Sequence, residues 1–480
     1  MALEDYTDMV KNTSWLLSAN TISRIFTAIF IILLANYLLP SDFGIYNFAF
    51  STAFILSVIP EFGLDALTVK KISKDPTKTH ELISDVLTLR TILSFLMIIL
   101  LWVISKIVLN TFNIDVRFNI LLLAFLALFF EKLSGAFFAV FRAKGKMSYQ
   151  SYIIIFWKII YLIFGITGIL LGYGLFRLIL LILGTSIFQF CLSFSFYYVK
   201  LDHNLSFPDL NRWKPLVYSA YPFAAFSLIN MFYGHITIIL ISIIKSSTST
   251  GLFSAGWKLI IFLGVIPHSF GRALFPFFTK LHSSKPNSIK KACIRSTRNL
   301  LQVAVPITVI LYLITPEVIN LLFTGYTQTA DVFRILVWMI PFLFMNGSMR
   351  MVLWSTDRTI ETSKNLLYSS LFLFISGIIL INEFGIIGAA LAVVFSEFLY
   401  FITNYLKIKV YLGNILNRDF VITSIIAFIS ITVMVFNQNL HLFSKYLFMP
   451  LFVLFYFFSL YKLNALKKED LEAMKSFFPF

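Results

Sequence analysis

The chain has 480 residues, of which 59% are hydrophobic and 13% charged, and its mean hydropathy is +0.86. A water-soluble domain would carry about twice that share of charge. The composition therefore excludes a soluble globular protein and leaves a polytopic helical membrane protein. The formal charge of +16 follows the loops and speaks for membrane topology, not for nucleic acid. Cys191 and Cys293 lie far apart and belong to no CxxC or Cys/His cluster, so neither a disulfide framework nor a metal site is expected.

Fourteen apolar stretches, each long enough to cross a bilayer of roughly 30 Å, follow one another along the chain. They cover about 13–38, 43–67, 84–108, 118–141, 149–171, 176–198, 216–243, 251–277, 299–323, 331–354, 365–382, 386–406, 419–437 and 443–461. The first follows the acidic leader MALEDYTD, with no basic n-region or A-x-A site, and is expected to be a retained helix. Connections are short, and the longest, near 278–298, offers no room for an extramembrane domain.

Alternate loops are basic. Lys70, Lys71, Lys74 and Lys78 form the first group, and Arg142, Lys144 and Lys146 the second. With the later loops, Lys11 and the tail, 26 of the 39 Lys and Arg fall on one side, against five on the other. The positive-inside rule places both termini in the cytoplasm, and an even number of spans requires the same.

The chain also repeats itself. A shift of 207 residues lays Gly44-Ile-Tyr46 over Gly251-Leu-Phe253, and SVIPEFGLDAL (57–67) over GVIPHSFGRAL (264–274). Seven of the 24 positions from 44 to 67 are identical, among them one Gly and one Pro. Farther on the offset drifts to about 211. The expected architecture is all-α: a six-helix lobe over 1–205, a second over 206–412, and two additional helices with a basic tail over 413–480. Because six is even, the two lobes form a parallel repeat about an axis along the membrane normal, an arrangement typical of transporters.

Four segments carry a resemblance to a known family. They are LLPSDFGIYNFAFSTAFILSVIPEFGL (38–64), FRAKGKM (141–147), STGLFSAGWKL (249–259) and LLFTGYTQTADVFRIL (321–336). In order and spacing the chain resembles the O-antigen-type polysaccharide flippases of the MATE-like multidrug/oligosaccharidyl-lipid/polysaccharide exporter superfamily. The resemblance implies movement of polyprenyl-diphosphate-linked glycans from the inner to the outer leaflet by alternating access. It also implies an ion gradient, proton or sodium, as driving force and no bound cofactor. Partners would be the lipid-linked glycan, membrane lipids and the polysaccharide polymerase machinery, in the cytoplasmic (inner) membrane.

Charges inside spans are costly and tend to face a bundle interior or a watery cavity. Arg24, Glu131, Lys132, Lys158, Lys258 and Glu397 lie within spans, and Arg90, Arg272, Arg334 and Arg350 in them or near their ends. The excess of cations suits a polyanion such as a diphosphate, which Arg engages bidentately and Lys as a point charge. Arg24 leads the candidates, since Asn20, Ser23, Arg24 and Thr27 form a polar stripe at helical spacing. Asn230 and His235 accompany a similar stripe in the seventh span, and Lys158 and Lys258 complete the expected pathway. Glu131 and Glu397 are the carboxylates placed for ion coupling. Glu61 and Asp65, opposite in sign to His268 and Arg272 at the matching repeat positions, suggest a cytoplasmic gate between lobes.

Three alternatives share part of this pattern. A multidrug cation antiporter would line its cavity with acids, whereas a peptidoglycan-precursor flippase would look much the same. A membrane glycan polymerase or transferase would need acids and arginines on a substantial external loop. The external loops are short and almost bare, with no nucleophile triad, metal cluster or phosphate-cradling Gly loop, so an enzyme is not expected.

Overall fold

A computed structural model describes residues 2–109, 111, 116–201, 206–284, 286–416, 418, 420–426 and 442–463, and among these every regular element is helical. The helices are α1 (Ala2–Tyr37), α2 (Pro40–Glu61), α3 (Leu64–Lys74), α4 (Thr79–Ile104), α5 (Phe118–Ala143), α6 (Met147–Leu170), α7 (Leu175–Lys200) and α8 (Leu210–Ile244). They continue with α9 (Ser247–Leu263), α10 (Val265–Ser284), α11 (Pro286–Leu313), α12 (Thr315–Leu322), α13 (Thr329–Leu336), α14 (Ile340–Ser355), α15 (Thr359–Leu412) and α16 (Leu442–Lys462).

Eleven helical stretches among the described residues are long and apolar enough to cross a membrane. They take up the first twelve predicted spans, because α15 carries two of them. Its 54 residues would reach roughly 80 Å at 1.5 Å per residue, far beyond one hydrocarbon core. The path changes at Gly385, with φ 60° and ψ −135°, a conformation that an L side chain tolerates poorly. The predicted span at 419–437 lies mostly outside the described residues, as does the basic tail from 464 onward. The last predicted span corresponds to α16.

The chain divides into two compact units, Met1–Ser254 and Ala255–Phe480. The division falls later than the repeat junction near 205, because α8 packs along α2 and α3 of the first unit. The linker before α8 is tied down as well. Buried Asp85, only 1% exposed, accepts the backbone N–H of Asp209 at 2.8 Å and faces Arg212 Nε at 2.9 Å. Glu81, one turn earlier on α4, pairs with the same guanidinium.

Inside the first unit, α1 packs along α6 and α5 along α7. Lipid tails are as apolar as leucine, so such helices associate through close packing and polar contacts instead of hydrophobic burial. Gly165 illustrates this, since a Cβ there would sit 2.2 Å from the Phe30 ring. A second close approach exposes the repeat. A Cβ on Gly44 would lie 1.7 Å from the Ser247 carbonyl oxygen, and one on Gly251 would lie 1.9 Å from that of Pro40. Residues 40 and 44 match 247 and 251 under the 207-residue shift, so the starts of α2 and α9 cross reciprocally. That is the geometry of a local twofold.

The repeated phrases fold differently. In the first, the helix runs through Val58-Ile59-Pro60 and breaks afterwards, at left-handed Phe62 (φ 41°) and Gly63 (φ 67°). Gly63 is needed there because a Cβ would collide with Phe223 and Ala224 of α8. In the second phrase the break comes first, at Gly264, and Val265-Ile266-Pro267 opens α10. Within the second unit Pro267 then seats against Gly347 of α14, 3.1 Å from where a Cβ would stand. Around α14 the core joins α10, α11 and α15, and a neighbouring apolar cluster packs Leu301, Val305 and Val309 with Phe452 and Tyr456 of α16.

Candidate functional site

The first unit holds a partly open cavity of about 320 Å³ among α1, α3, α5, α6 and α7. Helix α1 contributes Asn20, Ser23 and Thr27, spaced three and four apart so that all three share a face. The lining continues with Asp65 from α3, Glu131, Lys132, Gly135 and Phe138 from α5, Ile154, Trp157 and Lys158 from α6, and Gln189 from α7. Four of the predicted site residues, Asn20, Thr27, Glu131 and Lys158, are thus brought together, and a fifth, Asp65, joins them from the expected gate.

The charges are matched. Arg90, 1% exposed, donates to Asp65 Oδ1 at 2.7 Å and also to the Lys132 carbonyl oxygen. Lys132 is paired with Glu61, and Arg142 reaches Asp65 at 3.9 Å. Gly135 leaves room for the pair, since a Cβ there would stand 3.0 Å from Asp65 Oδ2. Adjacent residues on a helix point apart. Lys132 therefore serves Glu61, while Glu131 lies within electrostatic reach of Lys158. The Lys158 ammonium rests over two rings, 4.0 Å from the Trp157 centroid and 4.5 Å from that of Tyr161. The lining itself carries two carboxylates, Asp65 and Glu131, and two cations, Lys132 and Lys158. Around it stand one further carboxylate, Glu61, and two further cations, Arg90 and Arg142. The cationic excess expected from the sequence is not concentrated in this cavity.

Glu61 and Asp65 therefore take their partners from their own unit. Of the residues matched to them in the expected gate, His268 is half-buried on α10, and the Arg272 side chain lies outside the described residues. Arg24 lies on the exposed side of α1, beside the face that lines the cavity. On α8, Asn230 is exposed. His235 is held against α2, with Nδ1 3.2 Å from Ser51 Oγ and the ring stacked on Phe54 at 4.8 Å. Lys258 is half-buried on α9, with no ion pair among the described residues.

The second unit handles its buried carboxylate otherwise. Glu397, 3% exposed, accepts a hydrogen bond from Asn346 at 2.8 Å. Asn404 donates to Asn346 at 3.2 Å, and Asn365 donates to Asn404 at 2.9 Å. This chain of amides ties α14 to both halves of α15.

The sequence alone places Arg90 in or near the end of a span, and it gives no role to Gln189 or Trp157. In the structure Arg90 is a buried ion-pair partner, because it meets Asp65 at a break between two helices. The available signals were a cation 25 residues from an acid in an apolar region, and a lone glutamine in an apolar span.

The profile of the family described as "Polysaccharide biosynthesis protein" matches residues 9–282, more than half of the chain. Among individual proteins, "Capsular polysaccharide biosynthesis protein CapF" from Staphylococcus aureus is 22% identical over 409 residues, spanning 83% of this chain and 98% of that one. Two solved structures share the fold. A structure titled "Lipid II flippase MurJ, inward closed conformation" matches with a TM-score of 0.76 at 15% identity, covering 94% of this chain and 98% of that one. An inward-facing multidrug resistance MATE family transporter of the MOP superfamily matches with a TM-score of 0.68 at 13% identity, covering 82% and 95%.

Proposed function

The chain belongs to the polysaccharide biosynthesis protein family, and from that premise we propose that it is a flippase for a polyprenyl-diphosphate-linked oligosaccharide. It is a multi-pass membrane transporter of the MATE-like fold and not an enzyme. The carried lipid would move from the cytoplasmic to the outer leaflet of the cytoplasmic membrane, with both termini in the cytoplasm, for assembly of a cell-surface polysaccharide.

The observation that carries this proposal is the polar cavity lined by membrane-spanning helices. Hydrogen-bonding groups and charges at membrane depth are costly unless they are paired or serve a passing polar group. The cavity contains both kinds: paired charges on its α3–α5 side, and Asn20, Ser23, Thr27 and Gln189 elsewhere. Alternating access would expose such a cavity to one leaflet and then to the other. Glu131, beside Lys158, and Glu397, in its amide chain, are the carboxylates whose occupancy by a proton or sodium ion would couple that change to a gradient. Capsular polysaccharide biosynthesis in the CapF relative supports a capsule-type glycan as cargo, with a polymerase as the downstream partner.

Cells depleted of the protein should accumulate lipid-linked glycan in the cytoplasmic leaflet, measured as inaccessibility to an added glycosidase or lectin. An unchanged leaflet distribution upon depletion would sink the proposal.

A further inference from the structure

The charge pairing in the first unit leaves a chemical remainder. Gln189 is 2% exposed and Trp157 is 5% exposed, and both line the cavity. Gln189 Oε1 and Trp157 Nε1 have no hydrogen-bond partner among the described residues. Burying such an acceptor or donor without a partner costs about 1–3 kcal/mol each. One is a neutral acceptor, the other a neutral donor. Asn20, Ser23 and Thr27 add further neutral groups from α1, although the Thr27 hydroxyl is already given to the Ser23 carbonyl oxygen at 2.8 Å.

A diphosphate would need donors and uncompensated cations. Here the Arg90 and Lys132 cations are held by Asp65 and Glu61. The remaining charges of the lining, Glu131 and Lys158, are opposite in sign, and Arg142, outside the lining, also faces Asp65. A sugar ring supplies what the orphaned atoms lack, since each hydroxyl both donates and accepts. Trp157 enters this set through its N–H, since the Lys158 ammonium already rests over its ring.

We propose that the first-unit cavity is a hydroxyl-recognising subsite for a sugar of the carried glycan, with Gln189 and Trp157 as its determinants, and that the diphosphate is held elsewhere. The assignment rests on the flippase proposal and names which part of the cargo this cavity takes.

The test uses purified full-length protein in which the native cysteines are replaced and Ser23→Cys is introduced. Labelling of that cysteine by a maleimide is followed in the presence of two probes. One is oligosaccharide released from lipid-linked glycan of the producing cells; the other is inorganic pyrophosphate. The oligosaccharide should slow labelling and pyrophosphate should not. Trp157→Phe keeps an aromatic ring, smaller than the indole, and removes the N–H donor, and Gln189→Leu removes the acceptor. Each should raise the half-protecting oligosaccharide concentration roughly three- to tenfold, the effect of one lost hydrogen bond. Thermal unfolding of each variant, together with the wild-type response, separates lost recognition from lost folding.

Lack of protection by the oligosaccharide, or protection by pyrophosphate alone, overturns the assignment. So does full protection in both variants, the result expected if ordered waters alone satisfy the two atoms. Leaflet transport of intact lipid-linked glycan is assayed in parallel. Transport without protection fails this inference alone, whereas protection without transport fails the flippase proposal and leaves the sugar site standing.

Discussion

The two units place different partners beside an interior carboxylate. The first sets full charges against one another, Arg90 on Asp65 and Lys132 on Glu61, beside a cavity. The second surrounds Glu397 with a chain of three asparagine side chains, from Asn346 through Asn404 to Asn365. The repeated phrase differs between the two copies as well. Where the first copy carries Glu61 and Asp65 beyond its proline, the second carries His268 and Arg272 and turns before its proline instead. Ion pairs respond strongly to the loss of a partner, because the survivor is left as a buried charge; amide chains lose less when one link is removed.

The largest effect is expected at the Asp65–Arg90 pair. Asp65→Ala leaves Arg90 buried without its carboxylate and should cost about 3–5 kcal/mol, measured as a loss of stability in detergent. A charge swap tests the assignment of partners. Asp65→Arg combined with Arg90→Asp should recover part of the folded yield and transport that either single change loses. Recovery with Arg272→Asp instead would establish an inter-lobe latch and break the comparison drawn above.

Next comes the crossing of α2 and α9. Gly44→Val places carbon where the Ser247 carbonyl oxygen stands, and overpacking of this kind should cost about 1–3 kcal/mol or more. Thermal unfolding should show the same loss for Gly251→Val, since the contact is reciprocal. Unequal losses would argue against the local twofold.

In the second unit, Asn346→Leu removes one donor from Glu397 and one link from the amide chain. About 1–2 kcal/mol is expected for an interhelical hydrogen bond of this kind, less than the loss at Asp65. A loss as large as that at Asp65 would erase the distinction between the units. The smallest stability effect is expected at Lys158→Met, which gives up cation–π contact with Trp157 and Tyr161 for about 1 kcal/mol. Its transport defect, read in a leaflet assay, should exceed what that destabilisation explains.

Much of the fold was legible because a bilayer imposes long apolar stretches, and these are visible residue by residue. The two halves of α15 were read as separate spans, 365–382 and 386–406, and Gly385 falls between them. The repeat was visible through one Gly and one Pro at constant offset, and the Gly now has a physical reason in the reciprocal crossing. The site was less legible. Asn20 and Thr27 could be found because helical spacing puts them on one face, whereas Arg24, one residue from Ser23, points to another side. The pairing of Arg90 with Asp65 depends on how α3 leaves α2 at Phe62–Gly63, a tertiary fact that no periodicity carries. Nor could composition reveal that the cations beside the cavity are matched by carboxylates, because partners 25 or 71 residues apart are joined only by folding.

The most direct measurement is the leaflet distribution of lipid-linked glycan in proteoliposomes containing the purified protein under an imposed proton or sodium gradient. Glycan accessible from one side should redistribute with the protein present and stay in place in protein-free vesicles. It should also stay in place, or move much more slowly, with the Asp65→Arg variant. Equal distribution with and without the protein, across both gradients and with glycan from the producing cells, would contradict the assignment as a lipid-linked glycan flippase.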